Sequence, residues 1–264
     1  MLENKKEFKL ITKKNPKSLL PNALTIFGVC LGLSSIKFAL DANYGMAIIA
    51  IGFAAILDTL DGRVARLIKG TSKIGKELDS LTDVISFGVA PGFIIYFWAL
   101  NEIGKFGWMF VLIYTVCCAL RLARFNLMII EENETWKINF FEGVPSPAAA
   151  GLVLLPLILS LSGIVQFENY TVLSSIAILT TSILMVSKIP TYSLKRILIP
   201  RHLAIFLLLG IGIYVSLLIF YTFETLFFSG LIYIFLIPIS YFHYRYKNKT
   251  SLVTSSEEET EDVL

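Results

Sequence analysis

Long apolar stretches, separated by short polar and basic connections, run along almost the whole chain. Eight can be read, at roughly 22–40, 44–60, 81–100, 106–123, 147–163, 171–187, 203–221 and 224–242. Each approaches the ~20 residues a helix needs to cross the hydrocarbon core of a bilayer. None alternates with the dyad period of a transmembrane barrel strand. The pattern predicts an all-α polytopic membrane protein of about eight transmembrane helices. Composition agrees: 55% of the 264 residues are hydrophobic and only 16% are charged, where a soluble domain carries about 25% charged residues.

The polar connections are unevenly charged. Of 23 basic residues, 21 fall in alternate connections, and the opposite side holds only Lys37 and Lys105. Positive charge marks the cytoplasmic side, so both termini and the connection after the second run are expected in the cytoplasm. The net charge of +3 reflects this sidedness and gives no reason to expect a nucleic-acid partner. Residues 1–20 carry six lysines with Phe8, Leu10 and Ile11 among them, which suits a segment lying on the membrane surface. No small-residue cleavage site follows the first run, so that run is expected to stay as a helix. The acidic residues 247–264 are expected to form a disordered cytoplasmic tail. Cys30, Cys117 and Cys118 sit in apolar runs without metal-ligand spacing, and His202 and His243 stand alone at run ends.

One stretch breaks the apolar pattern. Residues 58–83 place four aspartates beside the second and third runs: Asp58 and Asp61 at i,i+3, and Asp79 and Asp83 at i,i+4. On a helix either spacing puts both carboxylates on one face. Carboxylates at a membrane edge are costly without nearby positive charge, and hard divalent cations prefer such oxygen ligands. Gly62, Ala65 and Gly75 thin the same faces, so that a nucleotide can lie against bare backbone. Arg66 supplies a fixed positive charge for phosphate oxygens. Two metals can clamp both ends of an in-line phosphoryl displacement, and Asp83, deepest along its helix, is placed to act as the base. A cation-coupled transporter with intramembrane carboxylates is the alternative from a different class. The gathering of the aspartates at one face, and not at the midplane, argues against it.

The spacing Asp58-x2-Asp61-Gly62-x2-Ala65-Arg66-x8-Gly75-x3-Asp79-x3-Asp83 resembles the signature of the CDP-alcohol phosphatidyltransferases at every fixed position. That resemblance implies a core of six membrane helices with the motif on the second and third. It implies transfer of a phosphatidyl group from CDP-diacylglycerol to an alcohol, with release of CMP. By position, Asp58, Asp61, Asp79 and Asp83 would bind two divalent ions, Mg²⁺ or Mn²⁺; Gly62, Arg66, Ser72 and Gly75 would hold the CDP moiety; and Asp83 would be the general base. It further implies a homodimer.

Within the family, further stretches are similar to the prokaryotic branch whose acceptor is L-serine. They are Pro21-Asn22-x2-Thr25, Glu77–Leu81 leading into Ser86–Pro91, Arg121–Asn126, Phe141–Ala149 and Ile189–Ser193. The resemblance covers roughly residues 20–200. It divides the chain into an interfacial segment (1–20), a catalytic core (21–200), two additional helices (201–246) and the tail (247–264). Arg121 and Arg124, one turn apart, suit the serine carboxylate, and Asn126 or Glu131 suits the ammonium. Glycerol 3-phosphate or an inositol phosphate is the alternative acceptor within the family. The expectation is an enzyme of the prokaryotic cell membrane with its site facing the cytoplasm.

Overall fold

The computed structural model describes residues 19–68, 73–128, 140–192 and 201–261. The interfacial segment expected before Leu19, the connection holding Ser72, and Glu131 lie outside the described residues. Every apolar run becomes a helix. Helices α1 (Leu19–Leu40) and α2 (Tyr44–Leu67) form a close hairpin. Its turn ends where the Asn43 side chain accepts a hydrogen bond from the Met46 backbone N–H, an N-cap for α2. Among the described residues, five helical stretches are long and apolar enough to cross a membrane, and three apolar helices are shorter. Large apolar side chains such as Phe206, Leu208 and Phe235 are outward and exposed, as a lipid-facing surface requires.

The third span, Ile74–Trp98, is not one regular helix. It consists of α3 (Lys73–Asp83), a π-helical turn (Val84–Val89) and α4 (Ala90–Trp98). In the π turn the backbone bonds reach one residue further than in an α-helix; the Ala90 N–H, for example, donates to the Ile85 carbonyl. Side chains from the neighbours bind the widened turn. From α5 (Lys105–Met128), the Tyr114 hydroxyl donates to the Phe87 carbonyl at 2.6 Å and the Thr115 hydroxyl reaches that of Gly88 at 3.5 Å. From within the turn, the Ser86 hydroxyl donates to the Gly28 carbonyl of α1 at 3.2 Å.

Small residues permit these approaches. Gly28 and Gly32 make a small-xxx-small face on α1, of the kind that lets membrane helices touch backbone to backbone. A Cβ on Gly32 would lie 2.5 Å from Ser86 Oγ and 2.9 Å from its Cα, while one on Gly28 would stand 3.4 Å from the Thr82 methyl. On the other side, a Cβ on Gly88 would meet Cys118 Sγ at 3.1 Å. The π turn is thus wedged between α1 and α5.

Helices α6 (Ser146–Ser162) and α7 (Tyr170–Val186) pack together, and α6 is the most deeply buried helix. Two three-residue strands, β1 (Phe140–Glu142) and β2 (Pro190–Tyr192), pair antiparallel with Phe141 opposite Thr191. This ladder ties the entry of α6 to the exit of α7. The all-α expectation did not include it; the strands are too short to show a period. Gly143 follows with φ +74°, and a Cβ there would collide with the Met185 carbonyl at 2.6 Å, so both conformation and space select glycine. Helix α8 (Arg201–Phe220) lies outside, and α9 (Thr222–Glu261) packs on α6 and β2. Where a disordered acidic tail is expected, the backbone of α9 continues to Glu261; Glu257, Glu258 and Glu259 are good helix formers.

Replacing Gly32 by valine should force α1 off the π turn and destabilise the protein by about 1–3 kcal/mol, the usual cost of overpacking. Gly28→Ala should be close to neutral. Thermal unfolding of the detergent-solubilised variants checks both. Equal midpoints for the two would remove the close α1 contact from the account.

Candidate active site

The last turns of α2 and the length of α3 carry the four aspartates to one place. Asp61 is buried at 4% exposure, and Asp58 and Asp79 are half-buried. One carboxylate oxygen from each of Asp58, Asp61 and Asp79 can be chosen so that all three lie within 4.8 Å of one another. Asp83 closes α3 and lies against Asp58. Its Oδ1 is buried and makes no hydrogen bond.

Among the described residues none of these carboxylates is in an ion pair. Two unit charges at that separation repel by on the order of 3 kcal/mol even at an effective dielectric constant of about 20. Arg63 and Arg66 are both exposed and do not neutralise the group. A hard, all-oxygen donor set held this closely fits divalent ions such as Mg²⁺ or Mn²⁺.

Helix α1 supplies a residue that the site assignment omitted. Thr25 is buried, and its hydroxyl lies 2.6 Å from Asp61 Oδ2 and 3.0 Å from the Pro21 carbonyl. One hydroxyl proton serves one acceptor at a time, and the shorter, charged partner is the stronger. Thr25 therefore orients Asp61. Its signal in the sequence is the Pro21-Asn22-x2-Thr25 stretch, a full helix away from the aspartates.

Of the residues expected to hold the nucleotide, Gly62, Ala65 and Arg66 lie on α2 beyond Asp58. Gly62 is exposed with open space where a Cβ would project. Ala65 follows, half-buried, and Arg66 is exposed in the last turn of α2. Gly75 is half-buried near the start of α3. Ser72 lies outside the described residues.

On α5 the three residues expected near the acceptor part company. Arg121 is buried at 8% exposure, close enough to Asp83 for their charges to interact. Its Nη1 donates to Ser146 Oγ at 2.7 Å, at the start of α6, while its Nε is buried with no partner. Arg124 donates from Nη1 to the Val186 carbonyl at 2.8 Å and so satisfies the C-terminal end of α7. Asn126 donates to Ser80 Oγ at 2.9 Å, linking α5 to α3. The structure brings Arg121 to the aspartates and engages Arg124 and Asn126 in helix-to-helix bonds around them.

Thr25→Val should weaken Mn²⁺ binding about 10–100-fold, the usual effect of removing a partner that orients a metal ligand, and Thr25→Ser should retain affinity. Titration followed by electron paramagnetic resonance of free Mn²⁺ measures this. Equal affinity for the valine variant and wild type would refute the orienting role.

Comparison with known proteins places this arrangement. Residues 18–187 match the profile of the CDP-alcohol phosphatidyltransferase family. A Mycobacterium leprae protein named CDP-diacylglycerol–serine O-phosphatidyltransferase is 41% identical over 187 residues, covering 70% of this chain and 62% of that protein. A Helicobacter pylori protein of the same name is 40% identical over 183 residues, 69% of this chain and 76% of that protein. The Bacillus subtilis protein of that name is 35% identical over 177 residues, 67% of this chain and 92% of that protein. The aligned stretch thus spans somewhat under two thirds of the M. leprae protein and nearly all of the B. subtilis one. With a match across most of its length, and with the motif carboxylates gathered in one place, this chain belongs to the CDP-alcohol phosphatidyltransferase family.

Proposed function

We propose that the chain transfers the phosphatidyl group of CDP-diacylglycerol to the hydroxyl of L-serine, releasing CMP. The observation that carries this reading is the pairing of a buried guanidinium, Arg121, with an unpartnered carboxylate oxygen of Asp83 beside the three-aspartate cluster. L-Serine presents a carboxylate for the one and a hydroxyl for the other. The name shared by the M. leprae, H. pylori and B. subtilis relatives supports the same acceptor.

CDP-diacylglycerol enters from the bilayer, with its acyl chains among the helices. Gly62, Ala65, Arg66, Ser72 and Gly75 hold its CDP moiety. Asp58, Asp61, Asp79 and Asp83 would hold two divalent ions, Mg²⁺ or Mn²⁺, which when bound would supply positive charge for the diphosphate. Arg121 fixes the serine carboxylate. Asp83 accepts the hydroxyl proton as the serine oxygen attacks the lipid-side phosphorus, and the bond from that phosphorus to the bridging oxygen breaks, leaving on CMP. The displacement is direct: among the described residues, the Ser80 hydroxyl is engaged by the Lys76 carbonyl and Asn126, and the Thr25 hydroxyl is spent on orienting Asp61. Arg124 and Asn126 keep α5 in register. The lysine and arginine bias turns the site and both termini to the cytoplasm, in a protein that works in the prokaryotic cell membrane as a homodimer.

Purified protein in detergent, with radiolabelled CDP-diacylglycerol and Mg²⁺ or Mn²⁺, should release CMP with L-serine and not with glycerol 3-phosphate or inositol 1-phosphate. Release with a phosphorylated acceptor would overturn the substrate, and no release with any acceptor would overturn the activity. Asp83→Asn should lower kcat by roughly 10²–10⁴-fold, the contribution of a positioned base. Near-normal turnover would remove Asp83 from that role.

A further inference from the structure

Among the described residues, Asp83 Oδ1, Arg121 Nε and the Tyr233 hydroxyl are three of five buried side-chain polar atoms with no hydrogen-bond partner. They come from three different helices, α3, α5 and α9. Buried polar groups in folded proteins are nearly always bonded, so unbonded ones that interact with one another mark a place for a polar ligand. Arg121 links them, since its charge interacts with both Asp83 and Tyr233.

Helix α9 lies outside residues 18–187, the part that matches the family, yet it is seated firmly enough to aim a side chain. It packs on α6 and β2, and Gly230, three residues before Tyr233, lies so close to α6 that a Cβ would collide with the Leu155 side chain. The Tyr233 hydroxyl lies directly beside the Thr191 side chain on β2, outside hydrogen-bond geometry. Thr191 spends its own proton on the Gly143 carbonyl at 2.8 Å. With no acceptor in hydrogen-bond geometry, the phenol keeps a proton to donate.

We infer that Tyr233 is a specificity-determining residue of the acceptor pocket, donating to one oxygen of the acceptor's carboxylate while Arg121 Nε donates to the other. The inference rests on the L-serine reading above and deepens it: the pocket is built for a carboxylate-bearing alcohol, and a helix beyond the family core completes it. Two donors meet the two carboxylate oxygens, and the one acceptor, Asp83 Oδ1, meets the hydroxyl.

The test compares wild type and Tyr233→Phe, which keeps the ring in its packing, with L-serine and with L-serinamide, whose carboxylate is replaced by a neutral amide. Tyr233→Phe should raise the KM for L-serine roughly tenfold, the size of one lost hydrogen bond to a charged group. The KM for CDP-diacylglycerol, the kcat and the unfolding midpoint should stay as in wild type. The preference for L-serine over L-serinamide should fall by a similar factor. An unchanged serine KM overturns the inference and leaves the serine reading standing. So does a loss shared by both substrates together with a lowered unfolding midpoint, which would mark a structural role. A wild-type protein inert towards L-serine overturns the reading and the inference with it.

Discussion

Like charges held together without neutralisation are the constraint around which this molecule is arranged. Oxygens of Asp58, Asp61 and Asp79 lie within 4.8 Å of one another, at the end of a membrane helix, where water does not freely dissolve them. Left to relax, the carboxylates would separate. They are held because each is anchored to a separately packed piece of backbone. Asp58 and Asp61 ride on α2, which is locked to α1. Asp79 and Asp83 ride on α3, which is locked through the π turn to α1 and α5.

The π turn is the joint that makes this possible. A regular α-helix from Lys73 to Trp98 would rotate everything beyond Asp83 by part of a turn relative to the aspartates. The inserted widening lets α3 present Asp79 and Asp83 to α2 while α4 presents its apolar face to α6. Its carbonyls are bonded from α5, and that contact runs along one side of α5: Tyr114 and Thr115 on the turn, Cys118 against Gly88, then Arg121 beside Asp83. The same hydrogen bonds that satisfy the turn thus set the depth at which the guanidinium arrives.

The sequence made some of this legible and not the rest, for physical reasons. Eight apolar runs became eight helical stretches, because hydropathy over ~20 residues is a strong local signal. The aspartates read directly as two pairs, because i,i+3 and i,i+4 spacing fixes a shared helix face within each pair. The meeting of the pairs depends on how α3 is seated beside α2. The π turn was hidden: Val84–Val89 reads as part of an ordinary apolar run, and its geometry is set by Gly28, Gly32 and Tyr114, residues far away in the chain. Arg121 and Arg124 share chemistry and nearly share a face, and only the position of α7 decides that Arg124 serves the Val186 carbonyl. Tyr233 is one of 11 tyrosines in a chain with 20 phenylalanines, so composition alone cannot single out its hydroxyl.

The last two helices then divide in character. The described side chains of α8 are almost all exposed, and its apolar surface is what a helix facing lipid needs. Helix α9 is different: Gly230 gives it close contact with α6, and Ser240 is fully buried. A helix recruited only to fill membrane would have no reason to bury a serine and a phenol hydroxyl, since each polar atom taken out of reach of partners is a cost in an apolar medium. For the Tyr233 hydroxyl, the inferred polar ligand would offset that cost. On this argument α8 is the connection and α9 the packed member of the pair: α8 joins the core to α9, which runs against α6 and β2.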